Sequence, residues 1–362
     1  MINLKRLLGI CLLVFVALIG CSQEKVETVK VGLVTGEMGL DDKSFSEITW
    51  KGITEFASGH ENVEIQYVTP KDTELATLVN AVDNLVLSGN EVVVLTGFVF
   101  EETAGQVAKA YPDVKFILID GQPSVKGEYK TFDNVLSIFF TEHEAGFLSG
   151  VASTLETKTG KLGFLGGVEV PAVQKYGWGY LTGVAFANQY FDLDTEVLEY
   201  LYQGTFSDFS AGQAISGGMF DKGIDIIQHA GGAVGSGAIV EAKQRENVYI
   251  VGVDTDQYFE GSKGDNSVIL TSAMKHINVA VVEHLEKYIK GEFKGGQVIT
   301  MDITQNAVGL PNNNPNLSAN TCNKLEEVKQ LLKQGEIKVP STKEETRDFL
   351  DKYNYDYSDL NF

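Results

Sequence analysis

Residues 91–120 read EVVVLTGFVFEETAGQVAKAYPDVKFILID, and the order of elements in them decides the fold class. The ends, 91–96 and 115–120, are mostly apolar runs of strand length. They lack the polar alternation of a sheet that faces water on one side, so they are expected to be covered on both faces. Between them 101–111 has helical spacing. Strand, helix and strand in this succession imply a βαβ unit and a parallel sheet.

The same succession extends in both directions. Upstream, Val29–Val34 (VKVGLV) is strand-like, and 43–57 and 73–87 are helical; the second helix places Leu75, Leu78, Val82 and Leu85 three or four residues apart. Downstream, Lys161–Gly166 (KLGFLG), Glu196–Tyr202, 225–229 and 248–253 are strand-like, with helices near 173–188, 208–220 and 238–246. This makes two α/β units of similar size, about 29–140 and 141–253, with no Pro/Ser-rich linker between them. The rest, 254–362, is too irregular for a third domain. It holds a strand-like 268–272, helices near 277–290 and 322–334, and a loop-like 311–315. We read it as returning to complete both units, with about 257–290 joining the first lobe and about 291–362 the second. A chain that crosses several times between two α/β lobes is the arrangement of a hinged cleft protein.

Composition sets limits on function. The chain has 362 residues, 49 acidic against 29 basic side chains and a formal charge of −20. A nucleic-acid partner is disfavoured, because phosphate binding is supplied mainly by clustered Lys and Arg. The cysteines, Cys11, Cys21 and Cys322, are too few for a disulfide framework and lack metal-ligand spacing. Residues 1–21 read MINLKRLLGICLLVFVALIGC. Lys5 and Arg6 precede an apolar run too short to be a comfortable membrane span. Its end, Leu18-Ile19-Gly20-Cys21, resembles a bacterial lipobox. On this reading 1–20 is a signal peptide, Cys21 is acylated and 21–28 is a tether. Loss of Lys5 and Arg6 then deepens the charge to about −22.

In open α/β sheets ligands bind beyond the carboxyl ends of the strands, so the residues after each strand are the candidates. The first cluster is GEMGLDDKSF (36–45). Asp41 or Asp42 can cap the following helix; Phe45 is either core or a flat wall in the cleft. The second is VGVDTDQ (251–257), where Asp254 and Asp256 suit hydrogen bonding to ligand hydroxyls. Turn formation is the competing role, and a calcium loop lacks its further ligands. The Gly-rich AGGAVGSG (230–237) has neither P-loop nor G-x-G-x-x-G spacing, which points to close backbone approach at the cleft. No enzyme template fits. His143-Glu144 has no second His at Phe147, no G-x-S-x-G occurs, and the five histidines form no spaced ligand set. No cofactor or metal is expected.

Several motifs occur together in order: the lipobox, DDKSF (41–45), FILID (116–120), KLGFLGG (161–167), AGGAVGSG (230–237), VGVDTDQ (251–257), LTSAMK (270–275) and AVGLP (307–311). This series closely resembles the basic membrane protein family of bacterial lipoproteins, which includes purine nucleoside receptors of ABC uptake systems. The resemblance covers nearly the whole mature chain. It implies a type I periplasmic-binding-protein-like fold, two α/β lobes joined by three crossovers, with no enzymatic step. It implies a purine nucleoside whose base is sandwiched by Phe45 and Phe206, with Asp120, Asp254 and Asp256 as polar ligands and Lys275 holding the ribose. It also implies an ABC permease and ATPase as partners, with the chain held outside the cytoplasm by its lipid.

Two positions depart from the family. Relatives commonly carry Thr-Asp where this chain has Thr35-Gly36, and Ser-Phe-Asn where it has Ser44-Phe45-Ser46. Glu37 and Ser46 are therefore the residues expected at the base edge. The alternatives are a sugar or other small polar ligand in the same cleft, or an adhesin or sensor role for the exposed lipoprotein.

Overall fold

The computed structural model describes residues 28–362 apart from position 43. The expected signal peptide, the expected acylation site at Cys21 and most of the expected tether lie outside the described residues. The chain begins with β1 (Val29–Val34), α1 (Phe45–Ser58), β2 (Val63–Val68), α2 (Leu75–Leu87), β3 (Val92–Thr96), α3 (Glu101–Ala110), β4 (Lys115–Ile119) and β5 (Val135–Phe140). It then crosses at Thr141 into α4 (Glu142–Glu156), β6 (Lys161–Gly166), α5 (Pro171–Phe191), β7 (Glu196–Tyr202), α6 (Phe209–Asp221), β8 (Ile226–Ala230), α7 (Ala233–Lys243), β9 (Tyr249–Asp254) and β10 (Ile269–Lys275). It crosses back at His276 into α8 (Ile277–Ile289), which packs on α1, and β11 (Gln297–Met301). A third crossing, through 302–307, leads to β12 (Val308–Gly309), α9 (Ala319–Lys333) and α10 (Lys343–Lys352).

The first sheet has the order β11-β5-β4-β3-β1-β2 and the second β12-β10-β9-β8-β6-β7. Every pairing is parallel except that of the short β12 with β10. Both faces of each sheet are covered, which is why the strands read as unbroken apolar runs. In the first sheet Val92, Val94, Ile117 and Ile119 join one core, while Val93, Leu95, Phe116 and Leu118 join the other. The former core is continuous from the first sheet into the second lobe.

The expected division of the tail needs correction. The sequence pattern assigns about 257–290 to the first lobe and about 291–362 to the second, but β10 lies in the second sheet and β11 in the first. The true changes of lobe fall at His276 and at 302–307. The edge strand β11 is half exposed, so it lacks the apolar run that would have revealed it. The three crossovers are laced together. Thr141 N donates to Met301 O at 3.1 Å, His276 N to Ala307 O at 2.8 Å and Ile303 N to Glu144 Oε2 at 3.0 Å.

Close contact of α4 and α5 sets the floor of the second lobe. A Cβ at Gly146 would lie 2.3 Å from Tyr176 O, and one at Gly183 would lie 2.2 Å from Phe147 O. Only glycine permits this crossing. It brings Glu142, at the start of α4, beside Lys175 and Tyr176 of α5 at the base of the cleft.

Candidate ligand-binding site

A cavity of ≈ 770 Å³ opens between the lobes, within the usual range for a small-molecule site. It is lined from the carboxyl ends of both sheets, by Thr96, Asp120 and Phe139 on one side and Ala230, Val253, Asp254 and Lys275 on the other.

Asp42 shapes the first wall. Its carboxylate accepts from Ser44 N, Ser46 N and Glu47 N at 3.1, 2.6 and 3.1 Å, satisfying free amides at the start of α1. This fixes the turn that carries Phe45, which is half-buried and lines the cavity. Phe206, from the loop after β7, lines it from the other lobe. Its ring lies against Gly167, where a Cβ would fall 2.5 Å from the ring edge. The two walls therefore come from different lobes.

The floor is a charge network around Lys275, whose side chain is 2% exposed. Its ammonium donates to Asp120 Oδ2 and, at 3.3 Å, to Glu142 Oε1; Asp254 Oδ1 lies at 3.9 Å. Glu142 also faces Lys175 at 3.4 Å. Burial acts to lower the Lys275 ammonium, but Asp120, Glu142 and Asp254 together raise it above the ordinary lysine value. Burial raises the Asp120 carboxyl to about 6, against the lowering pull of Lys275. The ammonium also sits 5.0 Å from the Phe45 ring centroid. Because Lys275 closes β10 and Glu142 opens α4, the network stands on two of the three crossovers.

Asp120 follows β4 and Asp254 closes β9, both in the left-handed region, with φ of 52° and 62°. Side chains other than glycine adopt it rarely, and Asp is among those that tolerate it. Asp254 is firmly held, as Ser44 Oγ donates to Oδ2 at 2.5 Å and Tyr176 OH to Oδ1 at 3.0 Å. The loop beyond it is braced by Gln257, whose Oε1 accepts from Val253 N at 3.0 Å and meets His229 Nε2 at 2.9 Å. Burial lowers the His229 imidazole to about 4, so it stays neutral. Asp120 Oδ1, by contrast, is buried without a hydrogen-bond partner.

The other expected residues divide. Glu37 is exposed and lines the cavity, and Ser46 is buried and lines it, with its Oγ accepting from Gly36 N at 3.3 Å. Asp256 is turned outward: it is exposed, its Oδ1 accepts from Tyr258 N at 3.1 Å, and it does not line the cavity. Its carboxylate makes the loop turn that competed with ligand binding in the sequence reading. Among the described residues no three His, Cys, Asp or Glu side chains are grouped to hold a metal ion. Among them, too, no helix is long and apolar enough to cross a membrane.

Residues 29–343 match the family model of the PnrA-like ABC transporter substrate-binding proteins. The chain belongs to this family. Its relatives include basic membrane protein A of Borreliella burgdorferi, 30% identical over 97% of this chain and 100% of that one. The ABC transporter nucleoside-binding protein BmpA of Lactococcus lactis is 28% identical over 88% of this chain and 91% of that one. Among solved structures, an ABC transporter solute-binding protein from Aeropyrum pernix K1 superposes with a TM-score of 0.73 at 24% identity, covering 90% of this chain and 97% of that one. The fold is that of the type I periplasmic binding proteins, and the family binds substrates for transport rather than transforming them.

Sequence reasoning missed Ser44, Glu142, Lys175 and Tyr176, all of which line the cavity of this family member. Ser44 lies inside DDKSF, where the aromatic Phe45 is the more conspicuous residue. Glu142 directly precedes His143-Glu144, whose only recognisable pattern is an incomplete zinc motif. Nothing in the local sequence singles out Tyr176, because its place depends on the glycine contact of α4 with α5.

Proposed function

We propose that this substrate-binding protein captures a purine nucleoside between its lobes and delivers it to an ABC permease coupled to an ATPase. The observation that carries the reading is the pairing of Phe45 and Phe206, on opposite lobes of one cavity, above a floor of Asp120, Asp254 and Lys275. A flat base stacks between the rings, worth about 1–3 kcal/mol per base in other systems. Ribose hydroxyls donate to the strand-end carboxylates, each such bond worth about 1.5–3 kcal/mol. A ligand that touches both lobes favours the closed state through those shared contacts, and the crossovers act as the hinge. The nucleoside-binding relative from Lactococcus lactis supports the ligand class.

The anchor is part of the same proposal. Cys21 carries lipid, and the domain works outside the cytoplasm at the membrane surface. Mass spectrometry of the membrane-extracted protein tests it: an acylated N-terminal Cys21 is expected, and an unmodified Met1 terminus contradicts it. The ligand is tested by native mass spectrometry of protein unfolded, washed and refolded, then offered adenosine, guanosine, inosine, xanthosine and a set of hexoses. A nucleoside adduct is expected. A hexose adduct with no nucleoside adduct would transfer the cleft to sugars, the reading that Gly36 and Ser46 leave open.

A further inference from the structure

Phe98, Glu101, Gln122 and Tyr129 line the same cavity from the first lobe and have no part in the account above. Glu101 opens α3. Its Oε1 accepts from Gln122 N at 3.2 Å, and the Tyr129 hydroxyl faces the same carboxylate, whose charge raises the tyrosine above its ordinary value. A Cβ at Gly121 would lie 3.3 Å from Glu101 Cγ, so this side chain rests against the turn that begins with Asp120. Phe98 and Tyr129 are 42% and 60% exposed where they line the cavity.

The charges near this turn are unequal. Lys275 and Lys175 serve Asp120, Glu142 and Asp254, which leaves one carboxylate in excess. Glu101 adds another and makes no ion pair among the described residues. Resting on the nucleoside reading, we propose that Glu101, held by Gln122 N and facing Tyr129, is a specificity residue at the sugar end of the ligand. It accepts a hydrogen bond from a hydroxyl, holds an amine more strongly and repels a phosphate. Burial raises its carboxyl above the ordinary glutamate range, the condition in which an arriving cation or donor is most favourable.

Calorimetry on the wild type, Glu101→Gln and Tyr129→Phe tests this. The probes are adenosine and guanosine, their 2′-, 3′- and 5′-amino-deoxy analogues, and their 5′-monophosphates. In the wild type at least one amino analogue binds about tenfold tighter than its parent, and the monophosphates bind at least about tenfold weaker. Glu101→Gln removes the amine advantage and recovers part of the monophosphate affinity, while Tyr129→Phe keeps or widens the amine advantage. Identical ratios in wild type and Glu101→Gln, with the parent still bound, would overturn the proposal and leave the nucleoside reading standing. Failure of both parents to bind overturns that reading itself, and this one with it.

Discussion

Asp120 and Asp254 occupy equivalent places in the two lobes, yet the protein treats them differently. Each stands at the carboxyl end of a buried strand in left-handed backbone and reaches toward Lys275. Asp254 accepts from Ser44 of the opposite lobe and from Tyr176 of its own. Asp120 gives one oxygen to Lys275 and keeps the other without a partner. Asp254 is thus a tie between lobes with both oxygens bonded, whereas Asp120 keeps one oxygen open, the one that on the proposed reading takes a ligand hydroxyl. A buried acceptor left unpaired costs about 1–3 kcal/mol, and a ligand hydroxyl recovers it.

The largest effect should follow from removing what the two acids share. Lys275→Met leaves Asp120, Glu142 and Asp254 without their buried ammonium, and loss of one partner from a buried pair costs about 3–5 kcal/mol. Denaturant unfolding should show a loss of this size, and nucleoside binding should disappear. A variant as stable as the wild type would mean that the carboxylates are compensated by something else.

Substituting the acids one at a time separates their roles. Asp120→Asn should weaken nucleoside binding by about tenfold to a hundredfold, since it replaces a charged acceptor. Asp254→Asn should instead loosen the lobes, read as a larger radius of gyration in small-angle scattering without ligand. Equal loss of affinity and equal scattering for both variants would erase the distinction drawn between them. Phe45→Ala comes next, with a loss of about tenfold from the missing stacking partner; an unchanged affinity would return Phe45 to the core.

The smallest effect is the dependence on pH. Burial raises Asp120 to about 6 from 3.8, so the folded state holds this proton more tightly than the unfolded chain. Its contribution to stability is present below about pH 3.8 and is lost as pH rises through 6. Binding runs the other way: affinity should fall as pH drops through 6, because a protonated Asp120 accepts poorly. Asp120→Asn should flatten that profile. The half-buried His143 and the buried His229 and His284, each lowered to about 4 by desolvation, act oppositely on stability. Their contribution is present above 6.5 and lost as pH falls through 4. Thermal melts between pH 7 and 4 should therefore decline despite Asp120.

The alternation of strands and helices, and with it the two lobes, was legible because strands buried on both faces leave unbroken apolar runs. Other elements left weaker traces. Helix α4 is buried on nearly all sides, so HEAGFLSGVASTLE shows no polar face and no helix was expected there. Helix α7 begins at Ala233 rather than near 238, since Gly235 and Gly237 look like loop but allow close approach; Gly235 lies against His229 and Gly237 against α6. At the site, the strand-end position singled out Asp254 and the family resemblance Asp120 and Lys275, and all three line the cavity. It could not separate Asp254 from Asp256, two residues apart, because that depends on a turn braced by Gln257. Glu142 and Tyr176 needed the helix crossing and were invisible without it.

On the proposed reading, the unpartnered Oδ1 of Asp120 and the aromatic walls of the cavity receive a nucleoside. Calorimetric titration of refolded, ligand-stripped protein with guanosine, adenosine, inosine and xanthosine, alongside Asp120→Asn, tests it most directly. The account predicts saturable heat for at least one nucleoside and about tenfold or greater weakening in the variant. No heat for any of the four at high protein concentration, or equal affinity in both proteins, would contradict it.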